Sequence, residues 1–157
     1  MDRILGVDPG SRTTGYGIIE ADRGHLRFVA CGVIKTTVKY PLNYRLNEIF
    51  DGLNEVVQIH NPVVAAVEDV FVSENPRSAL KLGQARGAAV VAAMQNGLQV
   101  YDYAPRAIKQ AVSGYGQADK EQVQQMVRIL LALSGMPSSD AADALAVAIC
   151  HANQLNL

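Results

Sequence analysis

Val63-Val64-Ala65-Ala66-Val67-Glu68 is a run of five apolar residues closed by an acid. It shows no polar–apolar alternation. A strand buried on both faces reads this way, and such strands take central parallel positions in helix-covered sheets. Upstream, Leu42, Leu46, Ile49, Phe50, Leu53, Val56 and Val57 recur at helical spacing, so an amphipathic helix precedes the strand and Pro62 ends it. Further back, Ile4-Leu5-Gly6-Val7-Asp8 is another short apolar run ending in an acid, followed by the turn signal Pro9-Gly10-Ser11. Residues 15–19 and 26–34 read as two more strands joined at Asp22-Arg23-Gly24, which makes an antiparallel three-strand opening.

Downstream, residues 71–75 read as a loop and 76–94 as a long helix rich in Ala and Gly. Residues 98–103 read as a strand, and 106–112 as a short helix broken by Gly114 and Gly116. Residues 119–133 read as a helix with Asp119 as N-cap and Val123, Met126, Val127, Leu130 and Leu131 on its apolar side. Ser138 or Ser139 caps a last helix running to about residue 153. The pattern predicts an α/β protein, a mixed five-stranded sheet with helices on both faces, in one domain over residues 1–157.

Composition narrows the function classes. The chain has 157 residues, 49% hydrophobic and 18% charged. A chain of this size buries roughly 68–70% of its unfolded surface, enough for a core without disulfides or structural zinc. No apolar run approaches the ~18 residues of a membrane span, so no membrane association is expected. The N-terminus lacks the pattern of a secretory signal. Cys31 and Cys150 are too few for a disulfide framework or a zinc site and read as core thiols, which places the protein in a reducing cytoplasm.

Four carboxylates stand out. Asp8 and Glu68 close two apolar strands, and Asp140 and Asp143, three apart, share a face at the start of the last helix. If the first and fourth strands are neighbours, Asp8 and Glu68 meet at one sheet edge. Clustered carboxylates repel one another and are costly to bury unpaired, and a divalent cation resolves the conflict. Oxygen ligands without His or Cys suit Mg²⁺ or Mn²⁺, and two such ions can clamp the attacking and leaving oxygens of a phosphodiester. Taken singly, Asp8 is also a turn residue, and Asp140 and Asp143 are also ordinary helix-start acids. Asp69 points away from Glu68 by strand alternation and reads as solvated. His151 lies on the face of Asp140 and Asp143 but ~12 Å beyond Asp143, too far to ligate the same ion. His25 and His60 read as surface or turn residues.

The net charge of −1 hides a local asymmetry. Between Arg77 and Val112 the charged residues are Arg77, Lys81, Arg86, Arg106 and Lys109 against Asp102 alone. This is either a phosphate-binding surface or an ordinary solvated face. Gly114-Tyr115-Gly116 permits close backbone approach to a phosphate, and Lys120 follows in the next helical turn. Phe71 is either a base-stacking aromatic or a strand-end core residue. Ala79, Gly83, Gly87 and Ala88 place small residues along the long helix, where each glycine costs ~1 kcal/mol relative to Ala. Close approach of another helix, from a two-fold mate or from within the monomer, offsets that cost.

Leu5-Gly6-Val7-Asp8-Pro9-Gly10-Ser11-Arg12-Thr13-Thr14-Gly15-Tyr16-Gly17 resembles the opening motif of the RuvC family of Holliday-junction resolvases. Val67-Glu68-Asp69-Val70-Phe71 resembles its second acidic motif, and Asp140-Ala141-Ala142-Asp143-Ala144-Leu145-Ala146 its C-terminal acidic pair. Ser78-Ala79-Leu80-Lys81-Leu82-Gly83-Gln84-Ala85-Arg86-Gly87 is similar to another family signature. The four lie in register from about Ile4 to His151. The resemblance implies a ribonuclease H-like fold and a homodimer meeting at Ala79, Gly83 and Gly87. It also implies a nuclease with two Mg²⁺ per site, Mn²⁺ substituting. Such an enzyme nicks four-way junction DNA symmetrically in recombination and repair, alongside a RuvA–RuvB type branch-migration complex in the bacterial cytoplasm. It makes Asp8, Glu68, Asp140 and Asp143 the metal-binding catalytic set and puts Lys109 and Lys120 near the scissile phosphate. DNA contacts then fall to Ser11, Arg12, Phe71, Arg77, Lys81 and Arg86. Two departures stand beside it. Asp69 replaces an amide common in relatives, and Val72-Ser73-Glu74-Asn75-Pro76 replaces a more basic loop.

Two other readings compete. A junction-binding module without catalysis predicts loss of one or more acids, and all four are present. An actin-like nucleotide binder shares Asp8-Pro9-Gly10 but needs a second domain and a Gly-rich adenosine loop that the sequence lacks.

Overall fold

A computed structural model describes residues 2–69 and 75–155; Phe71 and Glu74 lie outside the described residues. Five strands form one sheet: β1 (Asp2–Asp8), β2 (Thr13–Asp22), β3 (His25–Lys35), β4 (Val64–Glu68) and β5 (Gln99–Tyr103). Five helices complete the fold: α1 (Leu42–His60), α2 (Pro76–Gln95), α3 (Pro105–Ser113), α4 (Lys120–Leu130) and α5 (Ser139–Gln154). The sheet order is β3-β2-β1-β4-β5. The first three strands are antiparallel, while β4 runs parallel to both β1 and β5. The central parallel position expected for residues 63–67 is therefore observed, shifted by one residue.

The strands of the opening hairpins run longer than the apolar pattern indicates. Antiparallel pairing extends from Asp2↔Ala21 to Asp8↔Gly15 and from Thr13↔Lys35 to Asp22↔His25. Ladder hydrogen bonds continue past the point where burial stops dictating residue type. A register shift between Ile18 and Ile19 marks a bulge against β3, which adds local twist.

Each face of the sheet has its own core. Helices α1 and α2 cover one face through Ile49, Leu53, Ala85, Ala89 and Ala92 against Leu5, Val7 and Ala65. The other face packs α3, α4 and α5 against Ile4, Ile19 and Ala66 through Ile108, Val127, Leu145 and Ile149. Helix α5 is buried continuously from Ala144 to Ala152, and the small side chains of Ala141, Ala142, Ala144, Ala146, Ala148 and Ala152 help it sink between sheet and outer helices.

Helix ends follow local chemistry. Asn75 caps α2, its side chain accepting from the Arg77 and Ser78 amides, with Pro76 in the first turn. Asp119 and Gln122 form a capping box on α4. That helix stops at Leu130, short of the expected 133. Ala132 turns left-handed at φ 52°, and the Leu133 amide donates to the Arg128 carbonyl at 2.9 Å. This closing motif satisfies the terminal carbonyls, so the apolar Leu131 and Leu133 belong to the cap.

Candidate active site

Val7 and Val67 are partners in the parallel β1–β4 register. The next residue on each strand, Asp8 and Glu68, therefore leaves the sheet at the same edge. Helix α5 reaches this edge because two positions of the sheet beneath it, Gly6 and Gly15, carry no side chain. A Cβ on Gly15 would sit 2.1 Å from the Asp140 carbonyl oxygen, and one on Gly6 would sit 2.1 Å from that of Ala144. Helix backbone thus rests directly on strand backbone, and the first turn of α5 comes down beside β1. One carboxylate oxygen from each of Asp8, Asp140 and Asp143 lies within 4.8 Å of the others. Glu68 joins the group through a hydrogen bond with Asp8.

The electrostatics show how crowded the cluster is. Burial, then the charges of Glu68 and Asp143, push Asp8 from 3.8 up to about 8. Burial and then Asp143 also raise Glu68, against the Asp8 hydrogen bond, Lys109 and Lys120. The two carboxyls share a hydrogen bond, which needs one proton between them, so they titrate as a pair. Burial is also the main cause of the raised Asp143, opposed first by Lys120. Asp8, Glu68 and Asp143 line a cavity of about 250 Å³ with Pro105, Ile108, Lys109, Lys120 and Val123. Its carboxylates come from β1, β4 and α5, and its lysines from α3 and α4. A larger groove of about 720 Å³ between Leu26, Phe28, Cys31 and the turn after α4 has no acid in its lining.

The donor set fits a hard divalent cation. It holds several carboxylates, with no His or Cys among the clustered ligand atoms. A carboxyl held protonated to about pH 8 marks excess negative charge that a cation would neutralise.

The other sequence candidates separate. Ser11 is half-buried and Arg12 exposed in the turn after Asp8. Arg77 and Lys81 are exposed near the start of α2. Arg86 pairs with Asp102 of β5 and lies 3.6 Å from Asp69, so its charge ties α2 to the ends of β4 and β5. Asp69, expected to be solvated, is 56% exposed and takes part in this ion pair. Gly83 and Gly87 have nothing within 4 Å of a built Cβ, while Leu80, Val91 and Met94 of the same helix are exposed. Those three apolar residues escaped the sequence reading, although their spacing with Gly83 and Gly87 is helical. Gly6 was passed over too; a glycine inside a strand is the signal for close backbone approach. His151 is buried with Nδ1 2.7 Å from the Tyr103 hydroxyl, and burial lowers its pKa. Cys150 is buried, its thiol pushed up to about 11, whereas Cys31 is only half-buried. Both are free.

A ribonuclease H-like sheet with carboxylates at two adjacent parallel strand ends, a third element bringing more, and lysines on the cavity wall defines a phosphodiester-cleaving nuclease. The model of the family described as crossover junction endodeoxyribonuclease RuvC matches residues 4–151, and the chain belongs to that family. The RuvC of Acinetobacter baumannii is 58% identical over 98% of this chain and 84% of its own length. That of Cupriavidus metallidurans is 55% identical over 96% and 83%. Among solved structures, T. thermophilus RuvC in complex with Holliday junction substrate superposes with a TM-score of 0.92 at 37% identity, covering 99% of this chain and 96% of that one.

Proposed function

We propose that this protein resolves four-way DNA junctions by paired, symmetric phosphodiester nicks during recombination and repair. The observation that carries the reading is the Asp8–Asp140–Asp143 cluster with Glu68 bound to Asp8. Asp8, Glu68, Asp140 and Asp143 would hold Mg²⁺, two ions per site, with Mn²⁺ able to replace it. Bound there, the ions supply a Lewis acid for the phosphate and lower the pKa of the attacking water.

The chain's own residues do the rest. Lys109 and Lys120 face Glu68 and Asp143 across the cavity and offset the charge of an entering phosphate. Ile108, Val123 and Pro105 wall the cavity with apolar atoms and limit water, which strengthens each charge interaction within it. Arg12, Arg77 and Lys81 offer exposed cations to the flanking backbone, with Ser11 as a neutral contact. Phe71, outside the described residues, is assigned to base contact by the family resemblance alone.

A single domain of this kind cuts one strand, so symmetric nicking requires two copies. Gly83 and Gly87, open to solvent beside Ala79, Leu80, Val91 and Met94, support a two-fold contact along α2. A RuvA–RuvB type complex would supply the mobile junction. No helix among the described residues is long and apolar enough to cross a membrane, and the two free thiols fit a reducing bacterial cytoplasm.

The test is nicking of a mobile synthetic four-way junction against a matched linear duplex, with Mg²⁺ or EDTA. Symmetric, metal-dependent nicks confined to the junction are expected. Junction binding without cleavage under any divalent metal would instead establish a binding module.

A further inference from the structure

Arg45, in the first turn of α1, is a cation where a cation is costly. It is only 9% exposed. Among the described residues, no carboxylate lies within 4.0 Å of its guanidinium. Its helical neighbour Glu48 is engaged elsewhere, accepting from the Thr37 amide at 2.9 Å and the Thr37 hydroxyl at 2.8 Å. A buried ion without an opposite charge carries a desolvation penalty that an apolar side chain of similar volume avoids. Stability alone therefore does not account for arginine here.

What the guanidinium does is hold a turn. One terminal nitrogen donates to the Ser11 carbonyl at 2.6 Å, and Nε donates to Thr36 Oγ1 at 3.3 Å. Thr36 Oγ1 lies 2.7 Å from the Ser11 carbonyl and 3.1 Å from the Arg12 carbonyl, and the Thr36 amide donates to Arg12 at 3.0 Å. Within the turn, Gly10 is fixed from the other side: its amide donates to Thr14 Oγ1, which donates back to the Gly10 carbonyl at 2.9 Å. The segment from Pro9 to Arg12 follows directly on Asp8. It is thus clamped between β2 and the β3–α1 connection, and the clamp leaves Arg12 exposed.

We propose that Arg45 is a positioning residue for DNA cleavage, acting through the turn to set Arg12 against the DNA backbone beside the carboxylates. The inference rests on the nuclease reading of the site. A fork that reaches a carbonyl and a hydroxyl together suits this task better than the point charge of lysine.

The experiment measures single-turnover nicking at saturating junction, junction affinity in EDTA, and thermal melting, for Arg45→Lys, Arg45→Met, Arg12→Ala and the Arg12→Ala/Arg45→Lys double variant. Arg45→Met should lower the nicking rate about 10- to 100-fold, a scale set by small misplacements of reacting groups. Arg45→Lys should lose less, and junction affinity should change little in both. In the Arg12→Ala background, Arg45→Lys should change the rate by less than about twofold, because the two residues act as one unit. Losses that multiply in the double variant would overturn the proposal. So would a normal rate in Arg45→Lys and Arg45→Met. If Arg45→Met melts too low to assay, the lysine cycle alone decides. An Asp8→Asn control that still cuts would refute the nuclease site itself; one that is dead beside normal Arg45 variants would refute only this role.

Discussion

Two sets of glycines in this molecule face opposite surroundings. Gly6 and Gly15 lie on β1 and β2 under α5, where an added Cβ would strike helix backbone at 2.1 Å. Gly83 and Gly87 lie on α2, where an added Cβ would meet nothing within 4 Å. The first pair is explained by the chain itself: absent side chains let α5 descend until its acids reach Asp8. The second pair is unexplained by the monomer, since each glycine weakens a helix and gains no contact within it. One set lets two backbones touch; the other leaves open space along α2, the face proposed above for a two-fold contact.

The largest effect is expected at Gly15. Gly15→Ala pushes on the Asp140 carbonyl, backbone that moves only if the start of α5 moves. Junction nicking should fall by at least about 100-fold, because a 1 Å displacement at a reacting centre costs that much. A normal rate would mean α5 has slack there. Gly6→Ala meets the middle of α5 instead, so its main effect should be on stability. A loss of about 3 kcal/mol in urea unfolding is expected from overpacking, and a loss below 1 kcal/mol would show the contact to be loose.

Close packing of the acids also makes stability pH-dependent. Folding raises Asp8 from 3.8 to about 8, with Glu68 and Asp143 shifted in the same direction. Between those values the folded protein holds more protons than the unfolded chain, so metal-free stability falls as pH rises. Urea midpoints in EDTA should be lower at pH 8 than at pH 5, and Asp8→Asn should flatten the slope. A flat wild-type profile would contradict the clustering.

On α2 the smaller effects should appear. If the proposed two-fold contact along α2 forms, Gly83→Leu should leave only monomer in sedimentation with monomer melting intact; a dimer that persists in the variant would move the interface elsewhere, and a monomeric wild type would overturn the contact. Gly83→Ala should stabilise the isolated monomer by up to about 1 kcal/mol through helix propensity, and destabilisation there would reveal a contact within the chain.

The comparison also shows what a sequence can disclose. Strand β4 was legible because burial on both faces leaves an unbroken apolar run, and the four acids because each ends a strand or begins a helix. Arg45 was not legible, since an arginine at the start of an amphipathic helix reads as surface. Only the fold brings Ser11 and Thr36 around it. Asp69 is exposed, as its place in the strand pattern predicts, but its ion pair with Arg86 is not legible, because it joins elements distant in sequence. The end of α4 was misread because Leu131 and Leu133 continue the apolar pattern after the backbone has turned at Ala132.

Helix α5 follows every other element in chain order, yet it supplies two of the four acids and much of the core. During synthesis β1 through α4 leave the ribosome before it, with Asp8 and Glu68 already present but Asp140 and Asp143 still missing. A chain in which α5 has not docked therefore lacks half of the clustered acids, and under the nuclease reading its cutting centre is assembled only when that helix seats on Gly6 and Gly15.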